Sequence, residues 1–383
     1  MRDPLLPSRA SPQAHLEWLP AAGRSARYQV RRELQTVAKS AYRQGQRAVR
    51  ARRARMPTVR FGGLSRAPGT VYVLTPDFDE PAGGVRVMYR HVDLLNEAGV
   101  SAAVLHGREA FRCSWFPSNT RIEYIARTTL SERDLLVVPE VFAPMLPDLP
   151  AGLRHVLLDQ SGHLLLQRDG ERISRHLQQN PDLLGAVAVS EHSQHMLQHA
   201  YPMLDVRRVH LSVDPSMFFV DSAVVRHGLL HLTRRGAADA EYVLQVLRAR
   251  GVLAGTPVKR LDGVTQQELA TALRSSSIFL HLPYREGFGL PAVEAMASGA
   301  YVVGYHGFGG AEFMLPAFSS AVPTGDLLAL VVELERLLHL EREAPGWLAE
   351  RGRRAAEYVA RTYSVERERA GVVAVLEALT SDA

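Results

Sequence analysis

From Val71 onward the chain alternates short, uninterrupted apolar runs with segments of helical periodicity, and after Asp214-Pro215 the alternation starts afresh. VYVLTP is followed by the Gly83-Gly84 turn and by VRVMYRHVDLLNEAG, whose apolar positions recur at helical spacing and whose last glycine suits a C-cap. SAAVLHG, DLLVVPE, HVLLDQSG and LGAVAVSE continue the series, and Ser190 stands where it would cap the helix HSQHMLQHAY. A strand with one wet face alternates apolar and polar residues. Runs that are apolar throughout are buried on both faces, which points to parallel sheets covered by helices. VRRVHLSVDPSMFF, from Val206 to Phe219, closes the first series; HGLLHLTRRG, DAEYVLQVLRARG, VKRLDG, TQQELATALRSS and SIFLHLP form the second, and helices follow Gly325. The expected fold is α/β, with two Rossmann-like doubly wound domains. In such sheets ligands bind beyond the carboxyl ends of the strands, so the site is expected in a cleft between the domains.

A chain of 383 residues is too long for one core. The expected division is a basic, partly helical extension (1–60), an N-terminal domain (61–215), a C-terminal domain (216–350) and terminal helices (351–383) that cross back to the N-terminal domain. Cys113 is the single cysteine, so an intrachain disulfide and any zinc site with more than one thiolate of this chain are excluded. The chain has no apolar run of about 18 residues, and its first residues lack the apolar core of a signal peptide. A cytoplasmic protein is expected.

The net charge of +5 is unevenly spread. Between Arg24 and Arg60 twelve basic residues face one acid, Glu33, a local balance of +11 that leaves −6 for the rest. Leu34, Val37, Ala38, Ala41, Ala48 and Val49 fall at helical spacing, with Lys39, Arg43, Arg47 and Arg50 alongside. Such a helix either lies solvated on the main body or attaches peripherally to anionic lipid at the inner membrane face. Only Tyr28 and Tyr42 interleave with these arginines, which argues against nucleic acid as the partner.

The sharpest motif is EGFGLPAVEAMASG, Glu286 to Gly299. Pro291 suits the first turn of a helix and Gly299 its end, so a helix from about Pro291 to Ser298 is expected. Its N-terminus offers free N–H groups and partial positive charge to a phosphate or diphosphate, and Gly287 and Gly289 let backbone approach closely. Side chains lean toward a helix N-terminus, so Glu294 can reach vicinal hydroxyls attached to that phosphate, as in a ribose. Glu286, on the other side, would meet a second hydroxyl-bearing group. Glu294 is flanked by Ala292, Val293, Ala295 and Met296, where an unpaired carboxylate would be costly.

REGFGLPAVEAMASGAYVVGYHGFGGAEF closely resembles the donor-binding region of retaining glycosyltransferases of GT-B fold, the family 4-like "glycosyl transferases group 1" with a Glu-x7-Glu motif. GGVRVMYRHVDLLNEAG, AVAVSEHSQHML and VHLSVDPSMF extend the resemblance into the first half, giving coverage of roughly Val71 to Val375. It implies a metal-independent hexosyltransferase without a cofactor, using a nucleotide-sugar donor and a glycan or lipid-linked acceptor in polysaccharide biosynthesis. By the same resemblance Glu286 would contact the donor sugar and Glu294 the ribose. The backbone of Gly287, Phe288, Gly289 and Leu290 would contact the sugar and diphosphate, which Gly83 and Gly84 would admit from the other side. Arg234 and Arg235 both match the phosphate-binding place, without the lysine the family often carries. Gln160, Ser161 and His163 stand where relatives place sugar-contacting polar residues; His163 is a catalytic candidate beside Glu286. Asp77-Phe78-Asp79 could chelate a metal but falls in the first domain, away from the donor half, and no metal is expected. Two other readings stay open: an epimerase of sugar nucleotides on this fold, and a non-enzymatic nucleotide-sugar-binding or partner subunit.

Overall fold

The computed structural model of the chain describes residues 56–381. The basic segment between Arg24 and Arg55, with its expected membrane-facing helix, lies outside the described residues.

The first strands and helices are β1 (Arg60–Gly63), β2 (Val71–Leu74), α1 (Gly83–Glu97), β3 (Ala102–His106), β4 (Ile122–Tyr124), β5 (Thr129–Ser131) and β6 (Leu135–Pro139). They are followed by β7 (His155–Asp159), α2 (Gly170–Gln179), β8 (Leu183–Ala188), α3 (Glu191–Ala200) and β9 (Val206–Arg208). Seven of these strands form one parallel sheet in the order β4-β3-β2-β6-β7-β8-β9. Every residue of β3, β6 and β7 is buried, as continuous apolar runs require when both faces are covered. β1 and β5 pair in a separate two-stranded ribbon. Ser190 caps α3, its Oγ accepting the Ser193 N–H at 3.2 Å.

The second lobe holds β10 (Leu229–Leu232), α4 (Ala237–Ala249), β11 (Val258–Leu261), α5 (Gln266–Arg274), β12 (Ile278–His281), α6 (Leu290–Ala297), β13 (Tyr301–Gly304), β14 (Ser319–Ala321) and α7 (Leu327–Glu343). Its parallel sheet runs β11-β10-β12-β13-β14. Both lobes are doubly wound, and the architecture is GT-B. In each sheet the strand order reverses once, between β2 and β6 in the N-lobe and between β10 and β12 in the C-lobe. The loops that follow those four strands therefore splay apart and leave a crevice at the strand ends.

Two further helices tie the lobes together. α8 (Trp347–Thr362) packs on α6 and β13, whereas α9 (Val365–Ser381) packs on α1, β8 and β9. The crossing is held by a buried carboxylate: Glu368 is ion-paired with Arg90 at 2.7 Å, lies 3.3 Å from His91 Nε2, and accepts the Ser212 Oγ–H at 2.5 Å. One apolar core runs continuously from Val71 and Tyr89 through Phe218, Phe288, Phe313 and Tyr363 to Val302, and so spans both lobes.

Candidate active site

The strand-order reversal in the C-lobe explains which groups meet. β10 and β12 are neighbours, so the turn after β10, with Arg234 and Arg235, stands beside the loop after β12, with Glu286. The Arg235 guanidinium is ion-paired with the Glu286 carboxylate. Glu286 is also fixed through its backbone: its N–H donates to Gly307 O at 2.8 Å, and its carbonyl accepts the Gly309 N–H at 3.3 Å. The facing residue of this short bridge, Phe308, has φ 75° and ψ −63°, a conformation that costs a side-chain-bearing residue energy. Phe308 is exposed and stacks on His192 of α3 with centroids 5.2 Å apart.

The motif helix starts one residue earlier than expected, at Leu290, with Pro291 in its first turn. Gly289 N-caps it at φ 106°, which only glycine adopts without strain. Gly287 answers a closer constraint, because a Cβ there would lie 1.7 Å from the carbonyl oxygen of Gln160. The Phe288 ring is buried between Phe313 and Tyr363, at 5.3 Å from each, so only its backbone is available to a ligand. Glu294, in the middle of α6, is 3% exposed.

Across the crevice stands the glycine turn that opens α1. Gly83 lies against the Leu290 side chain, and the Gly84 carbonyl accepts the Gln160 side-chain amide N–H at 3.2 Å. Arg234 donates to the Pro81 carbonyl. Arg86, four residues into α1, reaches Glu294 with Nη2 2.5 Å from Oε1. Ser161 Oγ is 3.4 Å from His163 Nδ1, and burial together with the charges of Arg285 and Arg235 holds the His163 imidazole below its usual pKa. Glu286, Glu294, Arg234, Arg235, Gly83, Gly84, Gln160, Ser161, His163 and the 287–290 backbone thus belong to one contiguous cluster.

Several members of this neighbourhood were not legible in the sequence. Arg86 is the foremost. His281, the last residue of β12, is buried with Nε2 unpartnered, and its imidazole is kept neutral, its pKa pushed down to about 3 by burial and by Arg235. Beneath Gln160 lie two buried carboxyl groups. Glu140 accepts the Gln160 N–H at 3.2 Å, and Asp159 accepts the Ser161 N–H at 3.1 Å. Burial raises the pKa of both, and for Glu140 the neighbouring Asp159 charge adds to it. Glu312 links the C-lobe to the N-lobe. It pairs with Arg208 at 2.5 Å, accepts the Tyr363 hydroxyl at 2.9 Å and accepts the N–H of Glu191, the first residue of α3, at 2.8 Å.

The Asp77-x-Asp79 pair is committed to its own surroundings. Asp77 bonds the His106 ring at 3.0 Å and accepts the Gly107 N–H at 3.2 Å, while Asp79 accepts the Ser114 N–H at 2.7 Å. Among the described residues no group of three or more His, Cys, Asp or Glu is arranged to hold a metal ion.

Residues 247–355, which include both motif glutamates, match the family model described as glycosyl transferases group 1. A 48-residue stretch is 40% identical to an alpha-1,6-glucosyltransferase of Actinobacillus pleuropneumoniae serotype 7, covering 12% of this chain and 14% of that protein. Sucrose-phosphate synthase from Thermosynechococcus elongatus superposes with a TM-score of 0.65 over 82% of this chain and 100% of that one, at 14% identity. Anabaena HepE in complex with UDP-glucose gives 0.60 over 81% of this chain and 99% of that one, at 12% identity. The pneumococcal O-GlcNAc transferase GtfA in complex with UDP and GlcNAc gives 0.59 over 82% of this chain and 99% of that one, at 9% identity. The fold is the GT-B fold of glycosyltransferases, and the segment carrying the Glu-x7-Glu spacing is the one the family model matches. Among the described residues no helix is long and apolar enough to cross a membrane.

Proposed function

We propose that this chain is a glycosyltransferase that moves a sugar from a nucleoside-diphosphate sugar to an acceptor hydroxyl with retention of configuration. The observation that carries the reading is the convergence of Glu286, Glu294, Arg234, Arg235 and the α6 N-terminus on one crevice, with the Gly83-Gly84 turn opposite. Three arginines (Arg234, Arg235 and Arg285) and two helix N-termini outweigh Glu286 there, Glu294 being paired already to Arg86, an excess suited to a diphosphate. Glu286 would hold hydroxyls of the donor sugar and Glu294 those of the ribose. In the reaction the bond from the sugar's anomeric carbon to the diphosphate oxygen breaks, and a bond to the acceptor oxygen forms on the same face. The acceptor proton passes to the departing diphosphate. Arginines and backbone N–H groups would take up the charge developing on that leaving group, so the reading asks for no metal. Gln160, Ser161 and His163 lie on the side from which the acceptor would enter.

A nucleotide panel tests the donor half. UDP, GDP, ADP, dTDP and CMP are compared on wild type and Glu294→Ala; UDP comes first because HepE and GtfA were solved with it. A nucleotide at about 100 times its Kd stabilises by about 2.7 kcal/mol, a shift of several degrees. One diphosphate should shift wild type and shift the variant by about half as much or less. No shift with any of them would remove the reading.

The acceptor in this reading is a glycan or lipid-linked sugar in polysaccharide assembly, approached at an anionic membrane face through the basic segment ahead of the folded lobes. Replacing Arg43, Arg47 and Arg50 by Gln in the full chain should then weaken cosedimentation with phosphatidylglycerol vesicles by about 1 kcal/mol per arginine. Unchanged sedimentation would discard the membrane part alone.

A further inference from the structure

The ion pair between Arg86 and Glu294 joins the two lobes at the place where the nucleotide would sit, and no sequence motif announced it. Glu294 belongs to α6 of the C-lobe and Arg86 to α1 of the N-lobe, 208 residues apart in the chain. Side chains on a helix lean toward its N-terminus, and both helices point their N-termini at the crevice, so the two groups lean toward each other over it. The Glu294 side chain is 4% exposed and that of Arg86 19%, which shields the pair from water and salt. The position is otherwise a poor one for a cation. In the first turns of α1 the helix dipole disfavours positive charge, and stability of α1 alone gives no reason to place an arginine there.

The contact occupies one carboxylate oxygen. Arg86 Nη2 meets Oε1 of Glu294 and leaves Oε2 for another donor. A carboxylate that must receive two vicinal hydroxyls needs its plane fixed, and α6 offers little to fix it: its neighbours Ala292, Val293, Ala295 and Met296 are apolar and fully buried. The orienting group has to come from across the cleft.

We infer that Arg86 is a positioning residue for ribose recognition: by holding one oxygen of Glu294 it sets the carboxylate for the vicinal hydroxyls, and it makes that subsite complete only when the lobes are closed. This rests on the reading of Glu294 given above. Donor binding and lobe closure are then linked, because a nucleotide that engages Glu294 favours the arrangement in which Arg86 engages it too. A nucleotide lacking the hydroxyls does not share in that linkage.

The test compares the nucleoside diphosphate that gives the largest thermal shift with its 2′,3′-dideoxy form, by titration calorimetry on the full chain. Wild type, Arg86→Met, Arg86→Lys and Glu294→Ala are titrated with both. Hydrogen bonds from two hydroxyls to a buried carboxylate should give wild type a preference of about tenfold or more for the ribonucleotide. Arg86→Met should bring that preference below roughly threefold while dideoxy affinity changes less than about twofold, and Arg86→Lys should lie between. The ratio is taken within each variant, so a loss of general stability does not move it. If Arg86→Met weakens both ligands equally and keeps the ratio, Arg86 acts on the phosphates or on the fold and the inference is overturned. If instead Glu294→Ala keeps the wild-type preference, the reading of Glu294 itself is wrong, whatever Arg86 does.

Discussion

Glu286→Ala should lower sugar transfer by about 10²- to 10³-fold and leave nucleoside-diphosphate affinity within about twofold of wild type. The separation follows from where the side chain is held. Glu286 lies before α6, on the far side of the helix N-terminus from Glu294, with its backbone bracketed by Gly307 and Gly309 and its carboxylate turned to Arg235. In the proposed reading it would therefore face the donor's sugar and not its nucleoside. A group that grips a sugar more tightly as charge separates at the anomeric carbon contributes to the transition state, and its removal shows in kcat before KM. Folding should survive. The Arg235 side chain is half exposed, so losing its partner costs at most about 1 kcal/mol after screening by water. Glu286→Gln separates charge from hydrogen bonding and should recover part of the loss. Nucleotide release from the donor sugar, followed with and without an acceptor, is the measurement; turnover unchanged in Glu286→Ala would take Glu286 out of the mechanism.

The helix around Glu294 was readable because its punctuation is local: Pro291 in the first turn, Gly299 at the end, a glycine on either side of Phe288. The sheets were readable for a similar reason. β3, β6, β7 and β12 are buried along their whole length, and burial on two faces leaves an unbroken apolar run in the sequence. α2 escaped notice because just Ile173, His176 and Leu177 of its ten residues are buried, and the rest read as a polar loop. The strand order was not legible either. It is the order, through the adjacency of β10 and β12, that brings Arg235 to Glu286. Arg86 and His281 were missed because each looks ordinary in sequence, an arginine on an amphipathic helix and a histidine ending a strand. Their roles depend on partners that the fold supplies from far along the chain. Glu140 and Asp159 were hidden in the same way: Asp159 ends an apolar strand and Glu140 directly follows one, where a carboxylate usually reaches water, and here both are buried beneath the backbone of Gln160 and Ser161.

Buried histidines should pull down the stability of the folded chain as pH falls from 6.5 to about 4. His155 and His176 face each other with their Nε2 atoms 2.7 Å apart, while His155 Nδ1 lies 2.8 Å from the Leu153 carbonyl. A carbonyl can only accept, so His155 carries its proton on Nδ1 and its Nε2 must accept from His176. Both rings are neutral, and a second proton would have no place to go. Burial lowers the pKa of both, that of His176 to about 4, with the His155 charge adding to the effect. His281 is held down to about 3. The unfolded chain takes up these protons near pH 6.5 and the folded chain refuses them, so stability is full above about 6.5 and falls as pH drops toward the folded values. His176 alone, lowered to about 4, accounts for a loss of roughly 3 kcal/mol at the acid end of its window. Glu140 and Asp159 work in the opposite sense, since their raised pKa values let the folded state bind protons earlier than the unfolded one. These two carboxyl groups offset much of what the three histidines impose, so the acid limb is shallower than the histidines alone would make it. Replacing the facing pair together, as His155→Leu with His176→Leu, removes the pair's donor and acceptor at once but leaves the buried Leu153 carbonyl without its donor; it should cost about 1–3 kcal/mol at pH 7.5 while flattening the acid limb of a Tm-against-pH curve. Glu140→Gln should do the reverse, raising Tm at pH 8 and leaving it unchanged near pH 4. An acid limb of the same slope in the double-leucine variant would show that the pair takes up its protons without unfolding.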